Sequence, residues 1–500
     1  MSLVLPQDVW QCIATFIPES ELPSLISVNL ALYNIVLDTK YREVNWTMYD
    51  QSLVNSLVRL RTPSIAARVR RLHIRAWFIE FLVKRQILVA PSFMANFKRS
   101  ISRHLRIRSE SEDKVHAPDN VLASMTAAVH LMNGVTEYSF EWRDLSPSPD
   151  TLRFLTAART AFGISLRKLT LHAQLEHYKS LLSTVDFDNL EELELHFDHD
   201  GQGSTELLRD AIAPFINHFT HSLWNLQLVS SSRTDFSPLF NSLGRFAHLH
   251  TLVARLTFDE THFLDPQGLL RILDTSCSTL SNVEVGYSFA AAVETNPYPR
   301  STWPHFASSL ISSQSVLRDL RSLELPALNR TRFSDTALCL QRSADTLTRL
   351  CLTNCFLKRD DFEELVQMFA HRPFDSGLYS LRVGTTYLTV DVFDLLSSRL
   401  PGLGDLNLVL ATDVLTPLVH HHYDPPSAFC VSLSGRSYAD WQLSNLGIWD
   451  LGFNDTATAG KDETIMMEHL AQCIPSLRTF KGRPPGNLYY RNYRCDVFSS

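Results

Sequence analysis

One six-residue pattern recurs along most of this chain: an apolar residue, two variable ones, an apolar one, a variable one, an apolar one. It reads LRKLTL from Leu166, LEELEL from Leu190, LWNLQL from Leu223 and LSNVEV from Leu280. It returns as LRSLEL from Leu320, LTRLCL from Leu347, LYSLRV from Leu378 and LGDLNL from Leu403. Looser copies start at Val69, Val135, Leu249, Leu446 and Leu477. From Val135 onward the starts are 31, 24, 33, 26, 31, 40, 27, 31, 25, 43 and 31 residues apart. A unit that short cannot bury its own apolar face, so successive units must stack.

Within each hexamer the last two apolar residues flank an outward one, which is the alternation of a short strand. A helical stretch follows most of them. Residues 204–219 open on Ser204 as N-cap and put Leu207, Leu208, Ile212 and Phe215 on one face. Residues 265–276 place Asp265 before Pro266, a common helix start. Helices are expected likewise over 334–344, 359–371, 389–400 and 461–473. The best copy, Leu347 to Leu357, fits the longer frame L-x-x-L-x-L-x-x-N/C-x-L, with Cys355 at the Asn/Cys position and buried, and Cys351 turned outward. Over roughly residues 66–482 the chain resembles a leucine-rich-repeat protein. The fold class expected is α/β: a solenoid with parallel strands on its concave side and helices on its convex side. We take 47–482 as the solenoid, with loop insertions near 84–118, 286–304 and 411–440, and 483–500 as a C-terminal tail or cap.

Residues 1–46 lie outside the repeat. They read as three short helices: Pro6 to Ile17; Glu21 to Ser27, with Ser20 as N-cap; and Asn29 through Tyr33 to Leu37. Forty residues make too small a core to stand alone. So many apolar side chains in so small a unit call for cover from the solenoid or from a partner. The stretch LPQDVWQCIATFIPESELPSLISVNLALYN resembles an F-box, and KYREVNW (40–46) resembles the linker that follows one. It differs from the common pattern at Asn29, where Cys is usual, and at Leu32, where Trp is usual; such versions look like fungal F-box proteins.

That resemblance implies a function. F-box proteins with leucine-rich repeats are substrate-recognition subunits of SCF-type (Skp1–cullin–F-box) ubiquitin ligases. The F-box docks on a Skp1-like adaptor, and through it a cullin, while the repeats hold a protein substrate. By position, the adaptor-facing residues would be Leu5, Pro6, Val9, Ile13 and Ile17, then Leu22, Leu25, Ile26, Val28 and Tyr33. The other reading is a non-catalytic repeat scaffold or sensor whose F-box is vestigial and packs on its own first repeat.

The client would meet the outward strand positions. On the earlier strands these are Lys168, Thr170, His172, Glu192, Glu194 and His196. Later come Asn225, Gln227, Arg255, Glu284 and Glu324, and then Arg349, Arg382, Asp405 and Asn407. Both charge signs are mixed here, which suits a protein partner and not a nucleic acid. The full chain has a net charge of −7. Residues 1–118 hold 16 Lys/Arg against 10 Asp/Glu, and the remainder 30 against 43. The basic run FKRSISRHLRIRSESEDK reads as a solvated insertion, with a phosphate or nucleic-acid loop as the alternative.

Catalytic motifs are weak. DHDGQG (198–203) has the first ligands of a calcium loop, but Arg209 stands where the bidentate Glu is needed. GYSFA (286–290) ends in Ala and lacks the setting of a nucleophile elbow. His196 with His199, and His420 to His422, lack partners at zinc spacing. We therefore expect no enzyme activity, cofactor or metal. No secretory leader and no apolar run near 18 residues is present, and the eight Cys form no CxxC pair. A cytoplasmic or nuclear location, with reduced thiols and no membrane contact, is the expectation.

Overall fold

The structure, a computed structural model, describes residues 5–75, 118–142, 149–183, 187–198, 205–230, 234–256, 263–287, 304–326, 333–373, 376–410, 422–423, 426–450 and 459–480. The insertion at 84–117, most of that near 286–304, residues 411–421 and 424–425 of that near 411–440, and the tail from 481 lie outside these. So do most of DHDGQG and GYSFA. The chain divides into two compact units, Met1–Leu223 and Trp224–Ser500. Each is an α/β solenoid of repeats. No helix among the described residues is long and apolar enough to cross a membrane.

The first unit opens with helix α1 (Gln7–Thr15), a 3-10 turn (Leu22–Leu25) and helix α2 (Leu30–Tyr41). Ser20 does not cap the second element; Glu21 precedes it, with no side-chain cap. Asn29 caps α2, accepting from the Leu32 N–H at 2.8 Å, a contact worth about 1 kcal/mol. Leu32 is 3% exposed. The two departures from the F-box pattern thus have local tasks, one capping and one packing.

Strand β1 (Glu43–Trp46) follows α2 after a single residue and pairs in parallel with β2 (Arg71–Arg75), Val44 beside Leu72 and Trp46 beside Ile74. KYREVNW is therefore not a linker. It is the end of α2 and the first strand of the sheet, with Trp46 fully buried. Val44 and Trp46 stand where the other hexamers carry Leu. The strands β3 (Glu137–Glu141), β4 (Lys168–Gln174) and β5 (Glu192–Asp198) follow, each parallel to the one before. Helices cover one side. Phe162, ending helix Pro149–Phe162, meets Tyr138 edge-on at 5.2 Å. Tyr178 donates to the carbonyls of Leu171 and His196 at 2.8 and 2.7 Å and packs on Phe197.

The helix expected over 204–219 is broken into Thr205–Leu207, a π turn at Leu208–Ile212, and Ala213–His218. Pro214 explains the break, because it has no N–H to donate to the carbonyl four residues back.

The second unit carries β6 (Asn225–Ser230), β7 (Thr251–Leu256), β8 (Asn282–Tyr287), β9 (Ser322–Pro326), β10 (Arg349–Leu357) and β11 (Ser380–Thr385). After β12 (Tyr387–Leu388) come β13 (Asp405–Leu410), β14 (His422–Tyr423), β15 (Asn445–Asp450) and β16 (Thr479–Phe480). Within this unit all but β12 and β14 join one parallel sheet in chain order; those two form a separate parallel pair. The repeat placed at Leu446 is out of phase. Leu446 pairs with Leu406 and Ile448 with Leu408, so that hexamer starts at Leu443. The register of β10 shifts between Leu352 and Phe356, and Cys355 turns inward there.

A second sequence feature ties neighbouring repeats. A Ser or Thr just ahead of several hexamers donates its hydroxyl to a backbone carbonyl of the repeat before. Ser165 reaches Val135 and Ser222 reaches Leu190, at 2.8 and 2.7 Å. In the second unit Thr279 reaches Leu249 and Thr346 reaches Leu320, both at 2.8 Å. Replacing Thr346 by Val keeps the shape and deletes the donor. Urea titration of the full chain should register a loss of about 1 kcal/mol; an unchanged midpoint would remove the stabilising role assigned to this hydroxyl.

Candidate functional site

The first candidate surface lies on the three N-terminal elements. Their small core consists of Ala14, Leu22 and Val36, with Ile17 and Ile35 packed against it. It draws little from the outer side of α1. Val9 and Ile13, one helical turn apart, are each 37% exposed. Leu5, Pro6, Ile26, Val28 and Tyr33 are exposed as well, and Leu25 is half-buried. Leu22 is 7% exposed and belongs to the core. Phe16 and Leu30 are 82% and 74% exposed and extend the apolar surface beyond the set expected from the sequence. The apolar spacing of the first helix does not by itself separate a core position from an exposed one at Phe16.

Arg68 ties this module to the first repeat. Its guanidinium pairs with Asp38 and donates to the backbone carbonyl of Asn34 at 3.2 Å and to its Oδ1 at 2.9 Å. Arg59 adds a bond to the Tyr41 hydroxyl at 3.1 Å.

The second candidate surface is the outward side of the first unit's strands. Parallel register sets their side chains in rungs. Lys168 meets Glu192 at 3.3 Å, and Thr170 donates to Glu194 at 3.2 Å. His172 and His196 lie side by side, ring centres 5.1 Å apart. His172 bonds Asp198 at 2.7 Å and His196 bonds Glu194 at 2.5 Å. Burial by itself would raise the Glu194 carboxyl. The His196 bond and charge, Lys168 and the Thr170 hydroxyl outweigh it and hold that carboxyl below its usual range. The same rungs continue over β1 to β3 through Asn45, His73, Ser139 and their neighbours. Two of these strands are the looser copies from Val69 and Val135, whose outward residues were not among those expected to meet a client, and β1 was hidden because Val44 and Trp46 stand in place of Leu.

In the second unit the outward residues form another set of rungs. Arg255 bonds Glu284 at 2.8 Å and reaches Glu324 at 3.7 Å. Gly286, beside Arg255 in register, leaves room for this, because a Cβ there would stand 2.9 Å from Glu324 Oε1. Burial raises the Glu324 carboxyl above its usual value, against the pull of Arg255. Cys351 lies in register between Glu324 and Arg382. Further along, Ser380 donates to Asp405 at 2.8 Å, Asn407 to Asp405 at 3.0 Å, and the Trp449 indole to Asn407 at 3.1 Å. Gly447 makes that last contact possible, since a Cβ would come within 2.2 Å of Asn407 Oδ1. Asn225, Gln227 and Arg349 also keep solvent contact at their outward positions.

The described cysteines are all free. Burial pushes the thiols of Cys351 and Cys355 up to about 12 and that of Cys339 to about 11. Iodoacetamide at mildly alkaline pH should therefore label the exposed Cys12 in the native chain and leave these three unmodified until urea is added. Mass spectrometry of the digested protein reads this, and native labelling of Cys351 would contradict it. Among the described residues no group of three or more His, Cys, Asp or Glu is placed to hold a metal ion.

No protein-family model and no curated protein matches the chain. Among solved structures it is similar to a chain of the yeast Rad7 and Elc1 complex, at 14% identity and a TM-score of 0.37, covering 96% of this chain and 93% of that one.

Proposed function

We propose that this chain is a substrate-recognition subunit of an SCF-type ubiquitin ligase, with no catalysis of its own. Residues 5–41 dock on a Skp1-like adaptor, and through it a cullin, while the repeats from β1 onward hold a protein client on their outward strand residues. The observation that carries this reading is the apolar surface on the N-terminal elements. Leu5, Pro6, Val9, Ile13, Ile26, Val28 and Tyr33 are exposed together with Phe16 and Leu30. Exposed apolar residues grouped this closely mark an interaction surface. A vestigial F-box packed on its own first repeat would instead bury them. Ile17 and Leu25 sit at the edge of this surface, while Leu22 serves the core and drops out of the docking set.

The client side is polar, carries both signs, and is made of side chains held by their strand neighbours. That suits selection of a protein by charge pattern. The test is capture. The purified full chain is mixed with purified Skp1 and passed over a size-exclusion column. Co-elution as one complex is the expected result. Separate elution, under conditions where an F-box protein of known activity co-elutes, would sink the adaptor role and favour the scaffold reading.

A further inference from the structure

We propose that the outward face of the first unit's sheet, β1 to β5, binds a basic segment of a protein partner, one bearing several Lys or Arg side chains. This rests on the receptor reading above and gives its client a chemistry. The first rung runs Glu43, Arg71, Glu137, Lys168, Glu192, one residue per strand, at a strand spacing of about 4.8 Å. Its cations are already engaged. Arg71 sits 3.9 Å from Glu43 and 3.0 Å from Glu137, and Lys168 sits 3.3 Å from Glu192. On the third rung Arg75 holds Glu141 at 2.6 Å.

The carboxylates outrun these cations. Glu194 and Asp198 receive their short hydrogen bonds from imidazoles and from the Thr170 hydroxyl. The face therefore sets Glu43, Glu137, Glu141, Glu192, Glu194 and Asp198 against Arg71, Arg75 and Lys168. The excess is local to this unit. On the second unit, Glu284, Glu324 and Asp405 are matched by Arg255, Arg349 and Arg382 among the described strand side chains.

Shape adds a separate reason. A shallow depression of about 160 Å³ opens on this face, lined by the outward side chains of Glu43, Arg71, Glu137 and Lys168 on one rung and of Asn45, His73, Ser139 and Thr170 on the next. Carboxylates at its edge and hydroxyl and amide groups within it suit the charged, hydrogen-bonding tip of Lys or Arg. The same charge excess repels a nucleic acid backbone.

The full chain is titrated against two fluorescein-labelled peptides of about 12 residues, one alternating Lys and Ser, the other Glu and Ser, by fluorescence anisotropy. The Lys peptide should bind and the Glu peptide should not. Raising salt from about 50 to about 300 mM should weaken binding about tenfold. The triple variant Glu192→Gln, Glu194→Gln, Asp198→Asn should weaken it about tenfold as well. The control Asp360→Asn, Glu363→Gln, Glu364→Gln, on helix Arg359–Phe369, should stay within about twofold.

Lys168→Gln removes a cation from the face and should tighten binding about threefold, a gain that misfolding cannot mimic. Equal binding of both peptides, equal losses in both triple variants, or no gain in Lys168→Gln overturns the proposal. Skp1 capture by the same preparations separates the two readings. Capture without Lys-peptide binding removes this surface and leaves the receptor. Lys-peptide binding at this face without capture does the reverse.

Discussion

The double substitution Val9→Asp, Ile13→Asp should abolish capture of Skp1, lowering affinity by at least about a hundredfold, while the repeats melt at an unchanged temperature. Both residues lie on the outer side of α1, each 37% exposed, and neither belongs to the small core of Ala14, Leu22 and Val36. In the free protein an Asp at either position stays hydrated, so folding should change by less than about 0.5 kcal/mol. In the adaptor complex the same carboxylates would be desolvated against an apolar surface without a partner, at a cost of several kcal/mol. Size-exclusion capture and a circular-dichroism melt read the two halves. Undiminished capture moves the docking surface away from α1. A melt lowered in parallel with capture means that α1 is a structural element of the solenoid.

Arg342→Ala should cost the chain about 3 kcal/mol of stability. The Arg342 guanidinium donates to the carbonyls of Leu310, Ile311 and Ser313 at 2.8, 2.5 and 2.6 Å. It thereby closes the end of helix Pro304–Ser312, where free carbonyls collect and the helix dipole is negative. Arg271 does the same for helix Ser237–Ser242, through the carbonyls of Phe240, Asn241 and Leu243. Arg342→Lys should recover less than half of the loss, because one ammonium cannot reproduce the planar fork. Urea titration followed by circular dichroism decides it, and a loss below about 1 kcal/mol in the Ala variant would show that water satisfies these carbonyls instead.

The arginine staples were illegible in the sequence. Arg271, Arg342 and Arg372 stand in ordinary polar positions, and what they bind are carbonyls of another repeat, some 25–32 residues away. The hydroxyl ties had a readable signal, since Ser165, Ser222, Thr279 and Thr346 all directly precede the first Leu of a hexamer. Their acceptors appear only once repeats stack. The first strand was hidden for another reason. Val44 and Trp46 fill the places of Leu, and a bulky apolar residue before a helical repeat reads as a linker until its neighbour is known. At Leu446 two overlapping frames, from Leu443 and from Leu446, satisfy the pattern equally, and pairing with β13 chose the first.

Periodicity alone reveals the repeat, the alternation of strand and helix and, outside β1 and β15, which strand residues turn inward. Those follow from periodicity, because a period of two or of 3.6 leaves each side chain on one face. How the outward residues combine depends on the stacking of the repeats. Arg255 reaches Glu324 because Gly286 lacks a Cβ, and Glu194 draws His196, Thr170 and Lys168 together from two strands. Tertiary packing also divides the apolar residues of the N-terminal elements, sending Leu22 and Leu32 inward and leaving Phe16 and Leu30 out. A small helical module has more apolar side chains than its core can hold, and packing, not pattern, selects which of them remain in water.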